Sequence, residues 1–149
     1  MKAKVLGRHP GEIVAETDGH RLALDGKGET GPRPLALLLT SLGGCHASVL
    51  IHILRIMRVD WEELELQLEG HIGREEPKTF TSVHMSYQLS GIGLEDKRVR
   101  RGLELAEEYC PVSTILKRAG VSINYQLKLR EASEGDETKT AVMSATPGS

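Results

Sequence analysis

The chain has 149 residues, enough for one domain with a core of its own. Charged residues make up 27% of it yet balance to a net charge of −2, so neither nucleic acid nor an anionic membrane surface is indicated as a partner. The first residues, Met1 to Arg8, carry no apolar leader; the expected location is cytoplasmic, where cysteines are held as thiols.

Lys2 to Leu6, Glu12 to Thr17 and His20 to Leu24 read as short strands. Asp18-Gly19 is a hairpin cue, because both residue types tolerate the left-handed backbone of a two-residue turn. Asp25 to Pro34 reads as a loop. Within it, Gly26-Lys-Gly28-Glu-Thr-Gly31 spells the dinucleotide fingerprint. Pro32 and Pro34 follow where a helix should open, and position 51 is Ile where an acid is needed, so the run is read as a turn-rich loop.

A long helix is predicted from Pro34 to Arg58, with Pro34 in its first turn. Its apolar run is interrupted by Thr40, Ser41, His46, His52 and Arg55, so a buried helix is preferred to a membrane span. Leu35, Leu38, Leu42, Val49, Leu50 and Ile53 lie on nearly all sides of it. A helix apolar all round must be covered all round. One small sheet cannot do that, so an obligate homodimer is predicted. Gly43-Gly44 in mid-helix costs about 1 kcal/mol per glycine relative to Ala and predicts close approach of another backbone beside Cys45.

Two alternating strands follow. Leu64, Leu66, Leu68 and Ile72 share a face of the first; Thr79, Thr81, Val83, Met85, Tyr87 and Leu89 share a face of the second. A helix from Leu94 to Tyr109 aligns Val99, Leu103, Ala106 and Cys110 on one stripe. Pro111 and Gly120 frame a short helix, and Val121 to Leu129 reads as the last strand. From Glu131 the pattern ends, and residues 131–149 are expected to be a disordered tail behind a single domain of residues 1–130. The class is α+β: N-terminal strands, a long buried central helix, and an antiparallel sheet with a second helix.

The histidines are scattered and no metal-ligand spacing occurs, so no metal or cofactor is expected. Two cysteines hold the interest. A thiolate is the nucleophilic form. Cys110 would cap the helix that starts at Pro111, where free amides and the helix dipole favour negative charge. Cys45 has no such helix end. His46 lies about 100° round the helix from Cys45 and is read as facing elsewhere; His52 is read as a packed interior or interface histidine. On residue chemistry alone, thiol redox and plain burial as small hydrophobes both remain open.

Two segments resemble the OsmC/Ohr family of thiol-dependent hydroperoxide reductases. They are Gly31-Pro-Arg-Pro34 leading into Leu-Leu-Thr-Ser-Leu-Gly-Gly-Cys45, and Tyr109-Cys110-Pro-Val-Ser113 with the closing strand. The resemblance implies an intertwined α+β homodimer with sites at the subunit interface. It implies that Cys45 attacks a peroxide O–O bond and that Cys110 resolves the sulfenic acid to a disulfide, which an external dithiol reduces. Organic hydroperoxides or hydrogen peroxide would be the substrate. The family's peroxidases use an Arg before the long helix and a Glu near its start. The Glu position is Leu35 here, and Leu22 to Asp25 holds no Arg, which leaves Arg21 and Arg33 as the nearest thiolate-activating substitutes. The chain therefore resembles a divergent branch. The alternative on the same scaffold is a non-catalytic protein that binds a small hydrophobic ligand or electrophile.

Overall fold

A computed structural model describes residues 1–132. The tail expected beyond residue 130 lies outside the described residues, apart from Glu131 and Ala132. The elements run β1 (Ala3–Arg8), β2 (Glu12–Thr17), β3 (His20–Leu24), α1 (Pro34–Ile56), β4 (Glu63–Ile72), β5 (Phe80–Gly91), α2 (Asp96–Tyr109), α3 (Pro111–Arg118) and β6 (Ser122–Glu131). This is the expected α+β order.

β1, β2 and β3 form an antiparallel sheet. Its second hairpin turns at Asp18 and Gly19, with φ of 48° and 79°, between the paired residues Thr17 and His20. Both turn residues are left-handed, as a two-residue hairpin loop requires. Every residue of β1 is exposed, and among the described residues this sheet makes no substantial contact with the other helices and strands.

The second sheet has the order β4–β5–β6. β4 and β5 are antiparallel, but β6 runs parallel to β5, from Ser82 opposite Ser122 to Gly91 opposite Glu131. The expected antiparallel sheet is thus mixed. The reason is the connection: α2 and α3 return the chain to the end at which β5 began, so β6 must run the same way.

The covered face presents Val83, Met85, Tyr87 and Leu89 to Leu42, Leu50 and Leu54 of α1 and to Val99, Leu103 and Ala106 of α2. Thr79 and Thr81, expected on that face, are exposed, and Phe80 is buried instead. The register shifts between His71 and Ile72, which changes which residues face inward at that end. Gly70 leaves the room: a Cβ there would meet the Phe80 ring.

Within one chain α1 buries a single stripe: Leu42, His46, Leu50 and Leu54 are buried, whereas Leu38, Ile51 and Ile56 are exposed. The helix is long and apolar enough to cross a membrane by length and composition, yet it packs on α2, α3 and β4 as a core element. The double glycine does not admit a second backbone in this chain. Gly43 makes way for the Leu68 side chain, whose Cδ1 would lie 2.6 Å from a Cβ, and Gly44 has nothing within 4 Å.

Candidate active site: a thiol pair at a helix junction

Cys45 sits in the middle of α1 and is half-buried; Cys110 is fully buried. Cys110 occupies the junction of two helices. Its extended backbone (φ −78°, ψ 111°) ends α2 and starts α3. Pro111 opens α3 where its missing N–H costs nothing. The Ser113 amide donates to Cys110 Sγ at 3.4 Å, and Thr114 Oγ1 donates to the Cys110 carbonyl at 3.1 Å. Packing of α1 against α2 and α3 then closes the 65-residue separation: Cys110 Sγ donates to Cys45 Sγ at 2.9 Å. Both are free thiols. A covalent bridge needs the sulfurs only about 0.9 Å closer.

The electrostatics reverse one expectation. Cys110 does cap α3, but its thiol is pushed up to about 11. Burial is the first cause and the hydrogen bond it gives Cys45 the second; the Ser113 amide pulls downward and loses. Cys110 is therefore a buried, protonated thiol aimed at Cys45, and Cys45 is the sulfur with a face toward the outside.

His46 is 2% exposed and its Nδ1 lies 2.8 Å from Tyr87 Oη. Tyr87 stands edge-on to Tyr125, with centroids 6.2 Å apart. Burial holds His46 below its usual range, while Glu107 pulls it up and Lys117 pulls it down. Burial and then the nearby Cys110 hold the Tyr87 phenol well above its own. Glu107 and Lys117 pair with each other, joining α2 to α3. The sequence reading assigned no role to Tyr87 or Ser113. Tyr87 did carry a signal, a polar tip on a covered strand face, which a buried tyrosine must satisfy.

Neither arginine reaches the thiols within one chain. Arg33 is the N-cap residue of α1, twelve positions before Cys45 and so roughly 18 Å away along the axis. Its side chain lies over Gly28. Arg21 is exposed on β3, opposite Glu16. Leu35, Leu39, Ile72 and Phe80, with Arg33 at one side, line a cavity of about 410 Å³ at the start of α1. The loop before it is a turn, not a phosphate cradle: Asp25 accepts hydrogen bonds from the amides of Lys27, Glu29 and Thr30 and from the Thr30 hydroxyl, which hold its carboxyl well below the usual range. His52 is exposed in the single chain, with Arg55 Nη2 3.2 Å from its Nδ1. Among the described residues no group of three or more His, Cys, Asp and Glu could hold a metal ion.

The chain is 34% identical to protein YhfA of Escherichia coli K12 over 103 residues, 68% of this chain and 77% of that one. Its fold matches an OsmC-like protein from Mycoplasma pneumoniae (TM-score 0.78, 15% identity, 86% of this chain and 95% of that one). It also matches the organic hydroperoxide resistance protein OhrB of Bacillus subtilis (TM-score 0.61, 20% identity, 85% and 96%). The family profile described as OsmC-like protein matches residues 26–126, which contain both cysteines and every element from α1 to the middle of β6, and the chain belongs to that family.

Proposed function

We propose that this protein is a thiol-dependent peroxidase that reduces organic hydroperoxides or hydrogen peroxide through Cys45 and Cys110. One observation carries the reading: two free sulfurs 65 residues apart lie 2.9 Å from each other. Cys45, half-exposed and accepting the Cys110 hydrogen, takes the peroxidatic role. Its thiolate attacks the O–O bond and takes the terminal OH to become a sulfenic acid, while the alkoxide or hydroxide expelled takes up the proton shed when the Cys45 thiol ionised and leaves as alcohol or water. Cys110 then displaces water from that sulfur to form the disulfide, and an external dithiol reduces the bond. Apolar surroundings favour organic peroxides over hydrogen peroxide.

The working unit is a homodimer. In one chain only 28% of the most apolar window of α1 is buried, and among the described residues β1–β3 have no partner layer. A second copy placed on α1 covers both. It would also let Arg33 or Arg21 approach a Cys45 from the other subunit. A cytoplasmic location fits the reduced thiols.

Peroxide consumption with cumene hydroperoxide and dithiothreitol tests the reading. Turnover that is lost in Cys45→Ser supports it; no turnover, or full turnover in Cys45→Ser, rejects it. A second reading rests on the apolar cavity beside Leu35: the chain would hold a small hydrophobic ligand and the thiols would only line the fold. A ligand retained in native mass spectrometry, with no peroxide turnover, favours that one.

A further inference from the structure

Two sulfurs that lie close together without a bond can hold a third atom between them, and their spacing selects its geometry. Cys110 Sγ and Cys45 Sγ are 2.9 Å apart, and both are free thiols. A soft centre bonded to two thiolates at roughly 2.3 Å, with an angle of about 100° between the bonds, holds the sulfurs about 3.5 Å apart. The pair has to open by only about 0.6 Å for that, a smaller change than the closure a disulfide needs. A linear two-coordinate ion would set the sulfurs about 4.6 Å apart, an opening of about 1.7 Å. The packed junction of α1, α2 and α3 resists so large a separation.

The surroundings narrow the class further. Among the described residues no third His, Cys, Asp or Glu joins the two sulfurs, so an ion that takes a full set of protein ligands, as structural zinc does, is not served. Cys110 is fully buried in the apolar cluster that includes Leu103, Ala106 and Leu116. Net charge is costly there, which favours a neutral adduct. Copper(I), the soft ion that thiolates otherwise select, would leave a net negative charge between them. Cys45 is half-buried and keeps a face toward the outside, where a centre can enter and a remaining substituent can project. A bent, neutral, thiophilic centre that takes two sulfurs and keeps one further substituent is a trivalent arsenical, R–As(OH)2.

We propose that Cys45 and Cys110 together capture a trivalent arsenical as a two-sulfur chelate. The inference rests on the thiol-pair part of the reading above and needs no peroxide. Each thiol gives its hydrogen to an arsenic-bound hydroxyl. Two S–As bonds form, two As–O bonds break, and two waters leave. Arsenic stays trivalent and neither sulfur changes oxidation state, so the step consumes no oxidant and no reductant. Cys45, the sulfur with an outward face, bonds first. Ring closure on Cys110 is then intramolecular, and that step supplies the gain in affinity. The adduct occupies the peroxidatic sulfur, so capture and peroxide turnover exclude each other.

The probe is phenylarsine oxide, titrated into the reduced full chain. Native mass spectrometry reads the adduct, and dithionitrobenzoate counts the remaining thiols. The wild type is expected to form a one-to-one adduct that consumes both thiols, resists excess mercaptoethanol and is released by dimercaptopropanol. Cys45→Ser and Cys110→Ser are each expected to bind at least about 100-fold more weakly, because one sulfur then binds without an intramolecular second. Wild-type affinity no greater than that of the single variants, or an adduct that leaves one thiol titratable, overturns the proposal. If Cys110→Ser does not fold, the comparison with Cys45→Ser and the wild-type thiol count decide it. A protein that chelates the arsenical but consumes no peroxide keeps this inference and loses the peroxidase reading. A protein that consumes peroxide through Cys45 yet holds the arsenical on one thiol loses only this inference.

Discussion

The two sulfurs are expected to differ sharply toward an alkylating agent, and the structure sets the size of the difference. An ordinary thiol with a pKa near 8.5 is about 10% ionised at pH 7.5. Cys110, pushed up to about 11, is ionised to about 0.03%. Its reaction with iodoacetamide at pH 7.5 is therefore expected to be at least about 300-fold slower than that of free cysteine, with full burial adding to the protection. Timed alkylation with peptide mapping by mass spectrometry reads both sites, and Cys45 is expected to be labelled first. The Cys110 rate should then climb about tenfold per pH unit until the pH nears 11. Cys45→Ala removes the hydrogen-bond partner, which is only the second cause of the shift. Burial, the first, remains, so Cys110 is expected to stay at least about tenfold slower than free cysteine in that variant. Labelling of Cys110 before Cys45 in the folded protein, or at the free-cysteine rate, would refute the reasoning and the assignment of roles with it.

Three further outcomes follow from the packing and the charges. His46 is held below its usual range by burial, so the unfolded chain takes up the proton first as the pH falls below about 6.5; stability present above that pH is lost as the pH drops through the folded-state value. Thermal melts should show Tm falling in that window, with a shallower fall in His46→Gln; an unchanged slope counts against the buried neutral ring. Gly91→Ala would set a Cβ 2.7 Å from the Asp60 carbonyl oxygen and 2.8 Å from Trp61 Cα, both backbone, and should cost about 3 kcal/mol in urea unfolding. Gly43→Ala meets only the end of the flexible Leu68 side chain and gains helix propensity, so it should change stability by less than about 1 kcal/mol. Equal losses at the two glycines would contradict this account. Ile51→Glu places a charge on the exposed apolar side of α1 and, by two-fold symmetry, twice in a dimer. Sedimentation equilibrium is expected to find a dimer for the wild type and its loss in the variant; a wild type that runs as a monomer removes the homodimer proposal.

Local pattern alone located most of the elements. Period-two alternation marked β4 and β5, the stripe of Val99, Leu103 and Ala106 marked α2, and Pro111 with Gly120 framed α3, because side-chain spacing reports directly on which face a helix or strand buries. Asp18-Gly19 fixed a turn for an equally local reason, the backbone angles those residues accept. The two cysteine segments were legible as well, since each is a short contiguous motif. What pattern could not give is direction and distance. β6 reads as a strand in either orientation, and only the return path through α2 and α3 makes it parallel to β5. Phe80 replaces Thr81 on the inner face because a register shift in the pairing, which neither strand encodes by itself, changes the parity there. The capping position of Cys110 was visible in the sequence, but its protonation was decided by how deeply α1, α2 and α3 bury it, and desolvation outweighs one amide hydrogen bond. His46 and Tyr87 are 41 residues apart, and the helix and strand that carry them meet only in the packed core. Chemistry that depends on residue type was written in the chain; chemistry that depends on solvent exclusion and contact across the fold was settled by packing.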